Sequence, residues 1–205
     1  VYKRQLHNWG FHVTGSDAAH SEITDKLNLH GIKTTIGHDL ENAKNADLIV
    51  FSAAIKDEDP EMVLARENNI PLVGRGEFVG LLTKMYKETI CVAGTHGKTT
   101  TTSMLSVCFL NAEKDPTIEV GAILNKIDGN YRVGNSEYFI LESCEYKGNF
   151  LKFFPNTAII LNIDNDHLDY YKTFDNVIKA FTDFALLLEP NGCLLYTSDA
   201  ADDLI

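Results

Sequence analysis

The run Ile90-Cys91-Val92-Ala93-Gly94-Thr95-His96-Gly97-Lys98-Thr99-Thr100 joins an apolar segment to two glycines, a lysine and a set of hydroxyls. Gly94 and Gly97 permit tight backbone turns, and the amide N–H groups opening a helix point at whatever lies in the loop. Lys98 supplies a cation for outer phosphates, and Thr99 a hydroxyl able to ligate Mg²⁺. Gly94, Thr95, His96, Gly97, Lys98, Thr99 and Thr100 are therefore candidates to cradle the phosphates of ATP. The residue five before Gly97 is Val92, so the loop is shorter than the common G-x-x-x-x-G-K-[ST] form. That points away from GTPases and motor ATPases. The plain alternative is a chance glycine turn before a threonine-rich helix. Thr99 to Thr102 are poor helix formers, however, so something other than propensity favours them.

Other candidates lie where apolar runs end. Glu142 follows the run Tyr138 to Leu141, at the edge where open α/β sheets bind ligands. Glu145 is close enough in sequence to compete for the same role. His167 sits in the acidic stretch Asp164 to Asp169, where a lone histidine reads first as a solvated or capping residue. Ser16 and Asp17 end a strand-like segment, a place where an acidic side chain often meets a ribose or base, although a plain turn accounts for them too. Ser52, after Leu48 to Phe51, has the same standing.

Positioning these residues requires strands that alternate with helices. Strand patterns fall at Phe11–Val13 (leading into a turn at Gly15-Ser16-Asp17), Ile32–Ile36, Leu48–Phe51 and Pro71–Val73. Leu48–Phe51 reads as a strand buried on both faces, because four consecutive apolar residues suit a covered parallel sheet. Helix patterns cover Ser21–His30, Asp59–Asn68 and Glu77–Met85. The polar stretch Lys84–Glu88 reads as a joint, after which the pattern restarts. Strands are expected at Thr89–Ala93, Tyr138–Leu141, Thr157–Leu161 and Cys193–Leu195, with helices over Lys98–Asn111 and Phe174–Leu188. Phe174, Phe181 and Phe184 fall at helical spacings and read as core contacts. The expected fold class is α/β: a Rossmann-like parallel-sheet domain over 1–86, then part of a P-loop α/β domain over 87–205.

Composition narrows the function classes. The chain has 205 residues, 44% of them hydrophobic, and 29 Asp and Glu against 18 Lys and Arg, for a formal charge of −11. Such a surface repels a phosphate backbone, so no nucleic-acid partner is expected. The cysteines at 91, 108, 144 and 193 form no C-x-x-C pair, which argues against zinc and disulfides and fits a reducing compartment. No apolar run approaches the roughly 20 residues of a membrane span, and no secretory signal opens the chain. A cytoplasmic protein with no membrane partner is expected.

The glycine loop, continued as GTHGKTTTTSM (Gly94–Met104), resembles the Mur ligase family, whose members share a short G-[TK]-[NH]-G-K-[TS] loop. The resemblance runs from about Trp9 to Leu195. It includes VTGSD (Val13–Asp17), FSAAI (Phe51–Ile55), DPE (Asp59–Glu61), IPLVGRGEF (Ile70–Phe78), LESCEY (Leu141–Tyr146) and NIDNDHLDYY (Asn162–Tyr171). It implies a three-domain enzyme, of which this chain would supply most of the UDP-binding domain, roughly half of the ATP-binding domain and none of the third. The family's first strand and its glycine loop are not found here, so the chain by itself is expected to be inactive.

The branch of the family with histidine in the loop's third place joins L-alanine to the carboxylate of UDP-N-acetylmuramate at the expense of ATP. The resemblance implies roles for Lys98 on the β/γ phosphates, for Thr99 and Glu142 on a first Mg²⁺, and for His167 on a second. It makes Lys98, Glu142 and His167 the expected catalytic set. Ala180-Phe181-Thr182 replaces the modified lysine of several related ligases, which agrees with that branch. The related ligase that recycles a tripeptide shares the loop but is expected to carry alanine where this chain has Leu168. A non-catalytic module binding a nucleotide or UDP-sugar is the alternative from another class; the intact set Lys98, Thr99, Glu142 and His167 argues against it. The edges VYKRQ and YTSDAADDLI resemble translated sequencing-adaptor read-through and are set apart from the fold expectation.

Overall fold

The computed structural model describes residues 2–196, and the chain divides between Phe78 and Val79 into two units. In the first unit, α1 (Tyr2–Asn8), β1 (Thr14–Asp17), α2 (Glu22–Leu29), β2 (Lys33–Ile36), α3 (Leu40–Lys44), β3 (Ile49–Phe51), α4 (Pro60–Glu67) and β4 (Leu72–Gly74) follow in turn; α5 (Arg75–Thr83) runs across the division. Side-chain caps start α2, α3 and α4. Ser21 and Thr24 cap α2 reciprocally, Asp39 accepts from the Asn42 amide of α3, and Asp59 precedes Pro60 and accepts from the Glu61 amide of α4. β1 pairs in parallel with β2, and β3 in parallel with β4, as two separate ladders. Ile32, Ala43, Met62 and Ala65 form buried points of this unit's core.

Three expectations change here. The apolar run Phe11–Val13 lies before β1, and Phe11 is exposed; the strand is Thr14–Asp17, so Gly15, Ser16 and Asp17 belong to the ladder instead of a turn. β3 is only half-buried, because its ladder has two strands among the described residues and therefore lacks a covered centre. Tyr2 to Gln5, set apart at the sequence level, form most of α1: Gln5 is buried, and the Tyr2 ring meets Phe78 edge-on at 5.3 Å.

The second unit is built on a six-stranded sheet of order β10-β9-β5-β8-β6-β7, parallel except for β7. Its elements are β5 (Glu88–Ala93), α6 (Lys98–Asn111), β6 (Thr117–Leu124), β7 (Gly129–Arg132), β8 (Tyr138–Glu142), β9 (Thr157–Ile160), α7 (Leu168–Tyr171), α8 (Phe174–Ala185) and β10 (Cys193–Tyr196). A kinked 3-10 segment, Tyr146–Lys152, links β8 to β9. β5 and β8 lie at the centre, with Cys91–Ala93 and Phe139–Leu141 essentially excluded from solvent. Burial pushes the Cys91 thiol up to about 12, so it is an inert core group.

α6 spans the residues its sequence pattern indicates. Its buried Thr102 and Ser106 hydroxyls donate back to the carbonyls of Lys98 (2.8 Å) and Thr102 (2.7 Å), which lets a hydroxyl-rich helix pack without orphaned groups. α8 buries Val177, Ala180, Phe181 and Phe184. Phe184 stacks on Phe150 at 4.7 Å and Phe181 meets the same ring edge-on at 5.2 Å, whereas Phe174 remains exposed and is not a core contact. The β6–β7 hairpin has no counterpart among the sequence expectations; the 3-10 turn Asn125–Ile127 connects its strands and is closed by Asp128, left-handed at φ 48°, before Gly129 pairs with Leu124. The expectation for YTSDAADDLI beyond Tyr196 lies outside the described residues. Among the described residues, no helix is long and apolar enough to cross a membrane.

Candidate functional site

The glycine loop leaves the C-terminal end of β5, the edge where parallel sheets present loops to ligands. Gly94 has φ +141° and Gly97 φ +84°, conformations that side chains resist. A Cβ on Gly94 would stand 3.0 Å from the Leu161 Cβ and 3.2 Å from its amide nitrogen, so glycine also allows β9 to pass close by. Gly97 is the N-cap of α6 and offers no side chain to its first amides, which therefore face the loop. Asn162 fastens the turn: its Oδ1 accepts from the His96 amide (2.8 Å), its Nδ2 donates to the His96 carbonyl (3.0 Å), and its carbonyl accepts from the Thr95 amide (3.2 Å). The Thr95 hydroxyl accepts from the Asp164 amide at 2.8 Å, and the His96 imidazole lies 3.4 Å from the Asp164 carboxylate. The hydrogen bond from the Asn165 amide, with His96 second, holds the Asp164 carboxyl below the usual carboxylate range.

Two carboxylates share the floor of the loop and divide its partners. Glu142, at the end of β8, accepts from the Thr99 hydroxyl (3.0 Å) and from the Gly121 amide of β6 (2.5 Å). Gly121 has no side chain there, and a Cβ would meet the Glu142 oxygens at 2.6 and 2.7 Å. Glu145 is 2% exposed and faces Lys98 and His167. The Lys98 ammonium donates to the carbonyls of Gly94 (2.6 Å) and Thr95 (3.2 Å) and to Glu145 Oε1 (3.2 Å). His167, left-handed at φ 54° and N-cap of α7, places its Nε2 3.5 Å from Glu145, and the Tyr146 ring lies 4.8 Å from its own. Thr100 is exposed on the first turn of α6.

The residues expected to act together thus fall into two linked groups: Thr99 with Glu142, and Lys98 with Glu145 and His167. Among the described residues, no three His, Cys, Asp or Glu side chains converge as a closed metal cage. Mg²⁺ does not require one, since it is usually held by one or two carboxylates, waters and the substrate's phosphates. The Thr99 hydroxyl beside the Glu142 carboxylate is an oxygen donor pair of that kind, so these residues fit the ion. Gly121 and Asn162 were not among the sequence candidates. Asn162 carried a signal, as the first residue of the NIDNDHLDYY stretch; Gly121 lies on the unforeseen strand β6 and carried none.

In the first unit, the three candidates have separate partners. The Ser16 hydroxyl donates to Glu61 Oε2 of α4 (2.8 Å), and Glu61 Oε1 accepts from the Asp39 amide (2.7 Å). Asp17, exposed at the end of β1, accepts from the Ala19 amide at 3.2 Å. The Ser52 hydroxyl accepts from the Ala54 amide at 3.3 Å, within a turn closed by the Ile55 amide on the Ser52 carbonyl. A cleft of about 380 Å³ adjoins this turn, lined by His38, Ala54, Ile55, Lys56, Glu58 and Asp59 among others. A second recess, of about 340 Å³, lies by Tyr86, Phe154 and Asn156 where β5 and β9 begin, at the opposite sheet edge from the glycine loop.

Family models match both parts of the chain: the "Mur ligase family, catalytic domain" over residues 3–87 and the "Mur ligase middle domain" over residues 92–204. A UDP-N-acetylmuramate–L-alanine ligase of Clostridium botulinum (strain Okra / Type B1) is 55% identical over 185 residues, which are 90% of this chain and 40% of that protein. The crystal structure of the UDP-N-acetylmuramate-alanine ligase MurC from Thermotoga maritima superposes with a TM-score of 0.84 at 29% identity, over 96% of this chain and 46% of that one. The fold is shared equally, at a TM-score of 0.84 and 22% identity, with the UDP-N-acetylmuramate:L-alanyl-gamma-D-glutamyl-meso-diaminopimelate ligase of Neisseria meningitides, over 97% of this chain and 68% of that one. The chain therefore spans well under half the length of the curated relative, and on these matches it belongs to the Mur ligase family.

Proposed function

We propose that this chain carries the UDP-sugar-binding part (1–86) and the front of the ATP-binding part (87–205) of a cytoplasmic ligase that joins L-alanine to UDP-N-acetylmuramate. The observation that carries the reading is the convergence of Lys98, Thr99 and Glu142 on one glycine loop. It is supported by 55% identity to a UDP-N-acetylmuramate–L-alanine ligase.

A carboxylate oxygen is a poor leaving group, so amide formation needs it activated first. In the proposed reaction the muramyl carboxylate oxygen attacks the γ-phosphorus of ATP and ADP departs. The alanine amine then attacks the acyl carbon of the resulting acyl phosphate. Inorganic phosphate leaves with the bridging oxygen, and the amine proton passes to solvent. Phosphoryl transfer depends on positioning and charge neutralisation. The first amides of α6 hold the phosphate oxygens, and Lys98 releases its carbonyl partners to meet the β/γ phosphates. Thr99 and Glu142 would hold Mg²⁺, which when bound neutralises phosphate charge, and His167 would adjoin a second such ion. In the first unit, Ser16, Asp17 and Ser52 are proposed to contact the UDP-sugar.

Titrating the 205-residue chain with ATP and Mg²⁺, and separately with UDP-N-acetylmuramate, tests the binding half. Binding of the UDP-sugar alone favours a non-catalytic module. In an enzyme of the relatives' full length built on this chain, Lys98→Ala is expected to lower alanine-dependent phosphate release by roughly 10³-fold. Near-normal turnover in that variant sinks the mechanism.

A further inference from the structure

We propose that Glu145 is a positioning residue of this site, tying Lys98 to His167 and making tight nucleotide binding conditional on a divalent cation. The proposal rests on the ATP reading above and assigns a role to a carboxylate that the reaction as written does not use.

Glu145 is 2% exposed, a costly place for an anion unless its partners are fixed. Its Oε1 takes a hydrogen bond from Lys98 at 3.2 Å. Its Oε2 lies 3.0 Å from the same ammonium but outside hydrogen-bond geometry, and among the described residues it has no hydrogen-bond partner. His167 brings Nε2 to 3.5 Å of Oε1 from another element. The backbone around the carboxylate is pinned as well. The Tyr171 hydroxyl donates to the Glu145 carbonyl, and the next turn is forced by left-handed Lys147 and Gly148 at φ 55° and 66°. One carboxylate thus accepts from a group on α6 and lies beside a group at the start of α7, while Glu142 is engaged by Thr99 and Gly121. The two glutamates that sequence spacing leaves in competition have different partners.

The consequence is electrostatic. A triphosphate that reaches Lys98 without a metal must share the ammonium with a buried negative charge. A divalent cation entering with the triphosphate offsets that charge. Removing the carboxylate's charge therefore relieves the metal-free case and costs the metal-bound one, whereas a loss of packing weakens both.

Calorimetric titration of the 205-residue chain with ATP, once in EDTA and once in excess Mg²⁺, distinguishes these outcomes. Wild type should show a clear Mg²⁺-dependent gain in affinity. Glu145→Gln, with its fold checked by thermal melting, should bind metal-free ATP at least as tightly as wild type and lose about tenfold of the Mg²⁺ gain. Glu145→Asp, which keeps the charge, should retain most of it and decides the question if Glu145→Gln does not fold. Equal weakening in both media, or an unchanged Mg²⁺ gain, overturns the proposal. If wild type binds no ATP in either medium, the functional reading fails and the positioning claim is judged on the ring of His167. Nitrogen NMR of the neutral ring should then find its proton on Nε2, the nitrogen that faces Glu145, in wild type and distributed over both nitrogens in Glu145→Ala. The same tautomer in both chains overturns it.

Discussion

In the second unit, the side chains able to do chemistry come from the start of α6, the end of β8, the turn after it and the start of α7, and they engage one another: Thr99 with Glu142, and Lys98 and His167 with Glu145. In the first unit, Ser16, Asp17 and Ser52 each bond to a different neighbour. The sheets beneath them differ in the same sense. The second unit sets its loop on a six-stranded sheet with solvent-excluded central strands, whereas the first offers two short parallel ladders with half-buried strands. A precise constellation needs rigid support, because phosphoryl transfer is sensitive to small displacements of charge. The first unit's candidates lie on or just after short strands, and each is held by a single side-chain bond among the described residues.

That contrast can be broken experimentally, and the largest effect should come from below the site. Phe150→Ala removes the ring that stacks on Phe184 and meets Phe181, in the 3-10 segment that follows Glu145. It should cost about 3–5 kcal/mol in denaturant unfolding. A cost under about 1 kcal/mol would mean that the packing beneath the site is no firmer than an average surface position. Asn162→Ala takes two side-chain bonds from the loop without touching the core. It should cost about 2 kcal/mol, read as a ten- to thirtyfold loss of ATP affinity with the melting transition largely preserved. Unchanged affinity would show that the glycines alone shape the loop. Ser16→Ala frees one oxygen of Glu61, which keeps its bond to the Asp39 amide. Its expected cost is about 1 kcal/mol of stability with no change in ATP binding. A larger loss would place in the first unit the kind of interlocking reserved here for the second.

Much of the second unit was legible because its signals are local. The residues of α6 follow from a glycine turn and the hydroxyl-rich run behind it, and β8 and β9 are apolar apart from Glu142 at the end of one and Thr157 at the start of the other. β6 was not legible: Glu119 and Gly121 interrupt its apolar residues, and the polar connection of residues 125–128 to β7 carries no short hairpin signature. The partition of Glu142 and Glu145 could not be read either. The two are three residues apart, and only the kink after β8 decides which faces the hydroxyl and which the ammonium. In the first unit, apolar content misplaced β1 because Phe11–Val13 is the more hydrophobic stretch, while pairing with Lys33–Ile36 selects Thr14–Asp17.

The contact between Gly94 and Leu161 limits how this loop can be redesigned. No residue with a side chain fits at Gly94 unless the backbone and Cβ of Leu161, at the exit of β9, give way. A change at Gly94 is therefore felt at Leu161 and Asn162, and two segments far apart in the chain have to be altered as a pair.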